Sequence, residues 1–173
     1  MRNVRGKAGN AAARPVALIG AGPMGLATAK TLLEQDVAFR GFEMHHEVGG
    51  LWDIEGPRST MYDTAHLISS RRMTEFHDFP MKEDVADYPS HRELRNYFRD
   101  FAERFDLRRH YRFNAEVTGL EPVGGANEGW LVKWRENSVE FADGLFSRPA
   151  GPRTRRGHQP PPLSGPLRKG RVH

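Results

Sequence analysis

Val16-Ala17-Leu18-Ile19-Gly20-Ala21-Gly22-Pro23-Met24-Gly25-Leu26-Ala27-Thr28-Ala29 decides the fold of this chain. The continuous apolar run from Val16 to Ile19 reads as a strand buried on both faces of a parallel sheet. Gly20, Gly22 and Gly25 follow at the spacing of a turn from that strand into a helix. In such a turn Gly20 permits the tight bend, Gly22 lets a phosphate approach the backbone, and Gly25 lets the helix pack closely on the strand. Leu26, Ala29 and Leu33 then fall at i, i+3 and i+7 and make one apolar helical face. The helix N-terminus offers free N–H groups and a positive dipole end to an anion.

The next stretch strengthens this reading. Val37-Ala38-Phe39-Arg40-Gly41-Phe42 reads as a second strand, and Glu43 ends it. A carboxylate about 20 residues after such glycines is placed to accept hydrogen bonds from ribose hydroxyls. It repels a 2′-phosphate, so the pattern points to FAD or NAD rather than NADP. Strand, glycines, helix and acid together describe a dinucleotide-binding βαβ unit. A P-loop is excluded, because Leu26-Ala27 follows Gly25 where Lys and Ser/Thr would stand.

The 173 residues suffice for one domain with a core, or one domain and a tail. Three Trp, four Tyr and ten Phe argue for a globular body. No apolar run is long enough to span a bilayer, and the N-terminus lacks the apolar core of a signal peptide, so the expectation is a cytoplasmic protein. The absence of cysteine removes disulfides, thiolate metal sites and dithiol redox chemistry. Seven of the 26 Lys and Arg lie from Arg148 onward, with no Asp or Glu; the remaining 19 stand against 22 acidic residues, a net of −3. The overall charge of +4 therefore belongs to the tail. That tail has no aromatic residue to stack on a base, so neither a nucleic-acid nor a membrane contact is expected. Adjacent His45 and His46 have no third ligand nearby in the pattern, and no metal site is expected.

Beyond Glu43 the chain reads Met44-His45-His46-Glu47-Val48-Gly49-Gly50-Leu51-Trp52. Here it resembles the flavin-containing monooxygenase family and its Baeyer–Villiger relatives, in which a Gly-Gly-x-Trp segment follows the ribose-binding Glu and lies along FAD. The segment from Leu67 to Pro80 resembles the family stretch beside the flavin ring, ending in Asp78-Phe79-Pro80. Ile68 stands where many members carry Asn, and Ser69 is the neighbouring hydroxyl. Tyr88-Pro89-Ser90-His91 resembles a family helix start. Ser90 and Glu93 form a capping box, and Leu94, Tyr97, Phe98, Phe101, Ala102 and Phe105 make an apolar core stripe. His91 reads as structural. Tyr111 to Leu120 and Gly129 to Trp134 alternate and read as an antiparallel hairpin or meander.

The resemblance covers about residues 15 to 143. It implies a Rossmann-like α/β FAD-binding domain, a parallel sheet with helices and an antiparallel β-meander, incomplete at its C-terminal end. The expected division is a disordered leader over 1–14, the FAD-binding domain over 15–146, and a disordered basic Arg/Pro/Gly-rich tail over 147–173. After Gly144 the family would show an apolar strand, whereas Arg148-Pro149 interrupts here. Such a shift in composition also follows from an out-of-frame read of a GC-rich gene, which predicts the apolar strand in another frame of the downstream DNA. The resemblance implies FAD as cofactor, with Gly20, Ala21, Gly22, Pro23, Met24, Gly25, Glu43, Gly50, Leu51, Trp52 and Ser69 around it. It also implies NADPH as reductant, although the second glycine fingerprint of an NADPH domain is absent. Oxygen then passes from O₂ to a soft nitrogen or sulfur nucleophile, or into a ketone. No side chain reads as a catalytic acid, base or nucleophile. The alternatives are another two-dinucleotide FAD oxidoreductase, or a fragment that binds FAD without turnover or does not function.

Overall fold

The structure is a computed structural model, and it describes residues 14–123 and 129–146. The expected leader, apart from Arg14, and the expected tail lie outside the described residues. The elements run β1 (Val16–Ile19), α1 (Pro23–Glu34), β2 (Phe39–Phe42), a 3-10 turn (Gly50–Trp52), α2 (Arg71–Thr74), α3 (His91–Arg104), a second 3-10 turn (Arg108–His110), β3 (Tyr111–Arg112), β4 (Glu116–Pro122), β5 (Trp130–Glu136) and β6 (Val139–Phe146).

β1 and β2 pair in parallel from Val16↔Phe39 to Ile19↔Phe42, with α1 as the crossover. β3 adds in parallel on the far side of β2, giving the order β1-β2-β3. A second sheet, β4-β5-β6, is an antiparallel meander. The α/β reading with parallel sheet and meander therefore holds.

Two details differ from the sequence reading. The stretch from Tyr111 to Leu120 is not one antiparallel strand. Tyr111–Arg112 joins the parallel sheet as β3, and the antiparallel partner starts only at Glu116. The chain changes sheets at Asn114, whose φ of +55° breaks the extended path. Asn114 N–H donates to the His45 carbonyl and Ala115 N–H to that of Glu43, which holds the crossing in place. Second, β1 is not buried on both faces: Ile19 is 50% exposed. Among the described residues β1 pairs only with β2 and forms a sheet edge.

The main core lies where α1 and α3 meet the parallel sheet. Leu26 and Ala29 of α1 are fully buried, as their spacing requires. They join Leu94, Tyr97, Phe98, Phe101 and Ala102 of α3 and Leu107. The capping box forms: Ser90 Oγ accepts from Glu93 N–H, and the Glu93 carboxylate accepts from Ser90 N–H. Phe76 and Phe79 pack onto α3, with Phe76–Phe101 ring centroids 4.4 Å apart. The Tyr97 hydroxyl bridges them, accepting from Phe76 N–H and donating to the Phe79 carbonyl, both at 2.7 Å. That contact fixes the Asp-Phe-Pro segment on the helix. A smaller core of Phe42, Ala115, Val132 and Trp134 joins the two sheets.

Candidate functional site

The first glycine turn and the loop after β2 meet at the C-terminal ends of the parallel strands, where open α/β sheets hold ligands. Gly20 takes φ +95°, a left-handed conformation that glycine alone adopts without strain. Pro23 occupies the first position of α1, where its missing N–H costs no hydrogen bond. A Cβ on Gly25 would run into the Gly20 carbonyl, so helix and strand pack at glycine distance. These are the tasks the sequence assigned to Gly20 and Gly25.

Glu43 is the anchor. It is 7% exposed. Its Oε2 accepts from Ala21 N–H at 2.6 Å, and its Oε1 accepts from His45 N–H at 2.8 Å. The carboxylate thus pins the glycine turn to the end of β2, and each oxygen retains a lone pair. Beneath it, the Tyr111 hydroxyl is buried with no hydrogen-bond partner among the described residues. Burial, and secondarily the Glu43 charge, pushes the Tyr111 phenol far above its ordinary value of 10.

The Gly50–Trp52 turn closes the other side. Gly49 N–H donates to the Ala21 carbonyl at 3.0 Å. Gly50 has φ +59°, and a Cβ on it would stand 2.9 Å from Gly22 Cα. The two glycine segments therefore touch backbone to backbone. Between them and Glu43 runs a cleft of about 270 Å³, walled also by Leu51, Arg58 and Ser59. It shares Gly20, Glu43, Met44 and Arg58 with a second hollow of about 150 Å³, walled by Ile19, Phe42, Ala115 and Val117. One end of the combined groove is backbone and small residues beside a helix N-terminus. The other combines apolar walls with the Glu43 and Glu116 carboxylates and the Arg58 guanidinium. Backbone N–H groups at a helix N-terminus can take a phosphate, and a carboxylate can accept from sugar hydroxyls.

Of the residues named from sequence, Gly20, Gly22, Glu43, Gly50 and Leu51 line this groove. Ala21 is fully buried behind it. Pro23, Met24 and Gly25 form the first turn of α1 beside it, with Met24 78% exposed. Two residues stand apart from the lining. Trp52 packs against the main core. Ser69 is exposed and shares a hydrogen bond with the Thr74 hydroxyl at 2.9 Å. Ile68 is 97% exposed. The sequence reading overlooked Arg58, which reaches Glu116 at 2.9 Å across the groove. The Gly56-Pro57 turn before it was the available signal. Among the described residues no cluster could hold a metal ion, and no helix is long and apolar enough to cross a membrane.

Comparison with known proteins agrees with this geometry. The sequence model of the flavin-binding monooxygenase-like family matches residues 13–132. Dimethylaniline monooxygenase [N-oxide-forming] 2 of Oryctolagus cuniculus is 33% identical over 134 residues, covering 74% of this chain and 25% of that protein. The structure of S-allyl-L-cysteine S-oxygenase from Allium sativum superposes with a TM-score of 0.65 at 25% identity, over 75% of this chain and 34% of that one. The complex of OTEMO with FAD and NADP does so with a TM-score of 0.63 at 25% identity, over 75% and 24%. The chain spans about a quarter of the length of the curated relatives it matches. On the extent of the family match, this chain belongs to the flavin-binding monooxygenase-like family.

Proposed function

We propose that residues 15–146 form the FAD-binding portion of a flavin-dependent, NADPH-using monooxygenase. The observation that carries this is the Glu43 carboxylate, fixed by two backbone N–H groups at the end of a groove floored by Gly20, Gly22 and Gly50. In this reading the free lone pairs of Glu43 take the ribose hydroxyls. The backbone of Gly20 to Met24 and the N-terminus of α1 face the diphosphate, and Ile19, Phe42 and Val117 cover the adenine. Gly25 keeps α1 close to the turn. Leu51, Trp52 and Ser69 belong to the side on which the flavin half extends. Bound FAD would supply the redox chemistry and the reaction with O₂.

The residues of this chain bind and orient. In this reading the Glu43 carboxylate serves to hold the ligand rather than to transfer a proton, and the contribution of the groove residues is position. A reaction delivering oxygen to a soft nitrogen or sulfur atom, or into a ketone, is proposed by kinship for a protein of the relatives' full length. The named relatives include an N-oxide-forming enzyme and an S-oxygenase. The test is fluorescence titration of the purified chain with FAD and, separately, FMN. Binding of FAD alone supports a site that reads the adenosine end. Equal binding of FMN, which lacks the adenosine, overturns that assignment.

A further inference from the structure

Immediately after the Gly50–Trp52 turn lies Asp53, a carboxylate only 1% exposed that faces none of the groove. Its Oδ2 stands 3.0 Å from Arg99 Nη2 and its Oδ1 3.5 Å from Arg95 Nη1, two guanidiniums one turn apart on α3. Asp53 Oδ1 also accepts from Glu55 N–H at 3.3 Å, and His45 Nδ1 lies 4.0 Å from Oδ2. Glu47 balances the second cation: its Oε2 is 3.6 Å from Arg99 Nε, and Arg108 also pairs with it. A carboxylate this deeply buried is retained only when compensated, and here a helix of the main core compensates it.

The contacts then lead outward, step by step, to the groove. Asp53 N–H donates to the Gly50 carbonyl at 3.2 Å and Trp52 N–H to that of Gly49 at 3.3 Å. Gly49 N–H donates to the Ala21 carbonyl, and Ala21 N–H donates to Glu43. At Gly49 a Cβ would lie 3.8 Å from both Arg95 Cγ and Asp53 Cβ, so the turn lies against the aliphatic stems of two ion-paired side chains. Trp52 anchors the C-terminal end of the turn on the main core, but its glycine end has no apolar anchor. Gly49 and Gly50 have no side chains, and Leu51 is 46% exposed. Two glycines at positive φ lose much conformational freedom when ordered, so something rigid must hold them.

We propose that Asp53 is a positioning residue for the groove: clamped by Arg95 and Arg99, it fixes Gly49 and Gly50 against Ala21 and Gly22 before any cofactor arrives. This preorganises the diphosphate end, and a ligand then need not order the turn as it binds. The proposal rests on the FAD reading for its functional consequence, though not for the clamp.

The experiment compares wild type with Asp53→Asn, which keeps the shape and removes the charge. Amide hydrogen exchange of the ligand-free chain is read first. The clamp predicts at least tenfold faster exchange at Gly49, Trp52 and Asp53, with Leu26 in α1 and Leu94 in α3 unchanged. A merely structural role would accelerate all of these together, and either that pattern or no change overturns the proposal. Titration with FAD is read second, and a tenfold or greater loss of affinity is expected in Asp53→Asn. Unchanged FAD affinity overturns the positioning role. The predicted exchange difference between the two chains, together with a wild-type chain that fails to bind FAD, refutes the cofactor reading and leaves the clamp standing. Should Asp53→Asn not fold, Arg99→Gln, at a half-buried position, carries the same two expectations.

Discussion

At the scale of single residues, the groove depends on Glu43 and on the glycines that face it. Glu43 uses one lone pair on each oxygen to hold its own loop and keeps the others. Tyr111 is the exception. Its ring packs across Gly41, where a Cβ would collide with it, yet its hydroxyl finds no partner among the described residues. A buried hydroxyl without a hydrogen bond is a liability of about 1–3 kcal/mol. Tyr111→Phe removes the liability and keeps the ring. The expected outcome is stability unchanged or raised by about 1 kcal/mol in urea denaturation. A loss of more than about 1 kcal/mol would show that the hydroxyl has a partner that matters.

At the scale of elements, α3 is the keel. It carries the aromatic stripe into the core, presents Arg95 and Arg99 to Asp53, and starts with a complete capping box. Ser90→Ala should cost about 1 kcal/mol of stability. Hydrogen bonds from the Ser90 backbone N–H hold the Glu93 carboxyl below its ordinary value of 4.5. A depressed folded value means that its contribution is present in full above about 4.5 and fades as pH falls through the lower, folded value. Thermal melts from pH 6 to pH 3 should therefore fall less steeply for Glu93→Gln than for wild type, and parallel curves would count against the box. This helix was legible in sequence because capping and a 3.6-residue stripe are local patterns. The β1–turn–α1 unit was legible for the same reason. What escaped was long-range. Asp53 meets Arg95 and Arg99 across 42 and 46 residues, and nothing in Trp52-Asp53-Ile54 announces two guanidiniums on a distant helix. The split of Tyr111 to Leu120 escaped because alternation continues through Asn114, and only its positive φ redirects the chain.

At the scale of the molecule, two sheets share a small core through Phe42 and Trp134, whose ring centroids are 5.1 Å apart. The parallel sheet ends at β1 among the described residues. An apolar edge strand with unpaired N–H and C=O groups is a template for another chain. Ile19, half exposed at its end, adds apolar surface. The 173-residue chain should therefore self-associate as its concentration rises, and Ile19→Lys should shift sedimentation toward the monomer. A wild-type chain that stays monomeric throughout would show that this edge is covered.

The central claim is that the Gly20–Glu43–Gly50 groove holds FAD, and Gly22→Ala tests it most directly. A Cβ on Gly22 would sit 3.5 Å from Gly50 Cα, an ordinary contact, so the variant should fold. The same methyl would stand where the diphosphate approaches the backbone. Side-by-side FAD titrations should give saturable binding to wild type and about tenfold weaker binding, roughly 1.4 kcal/mol, to Gly22→Ala at an unchanged melting temperature. Equal affinities, or no saturable binding to a folded wild-type chain, would contradict the account.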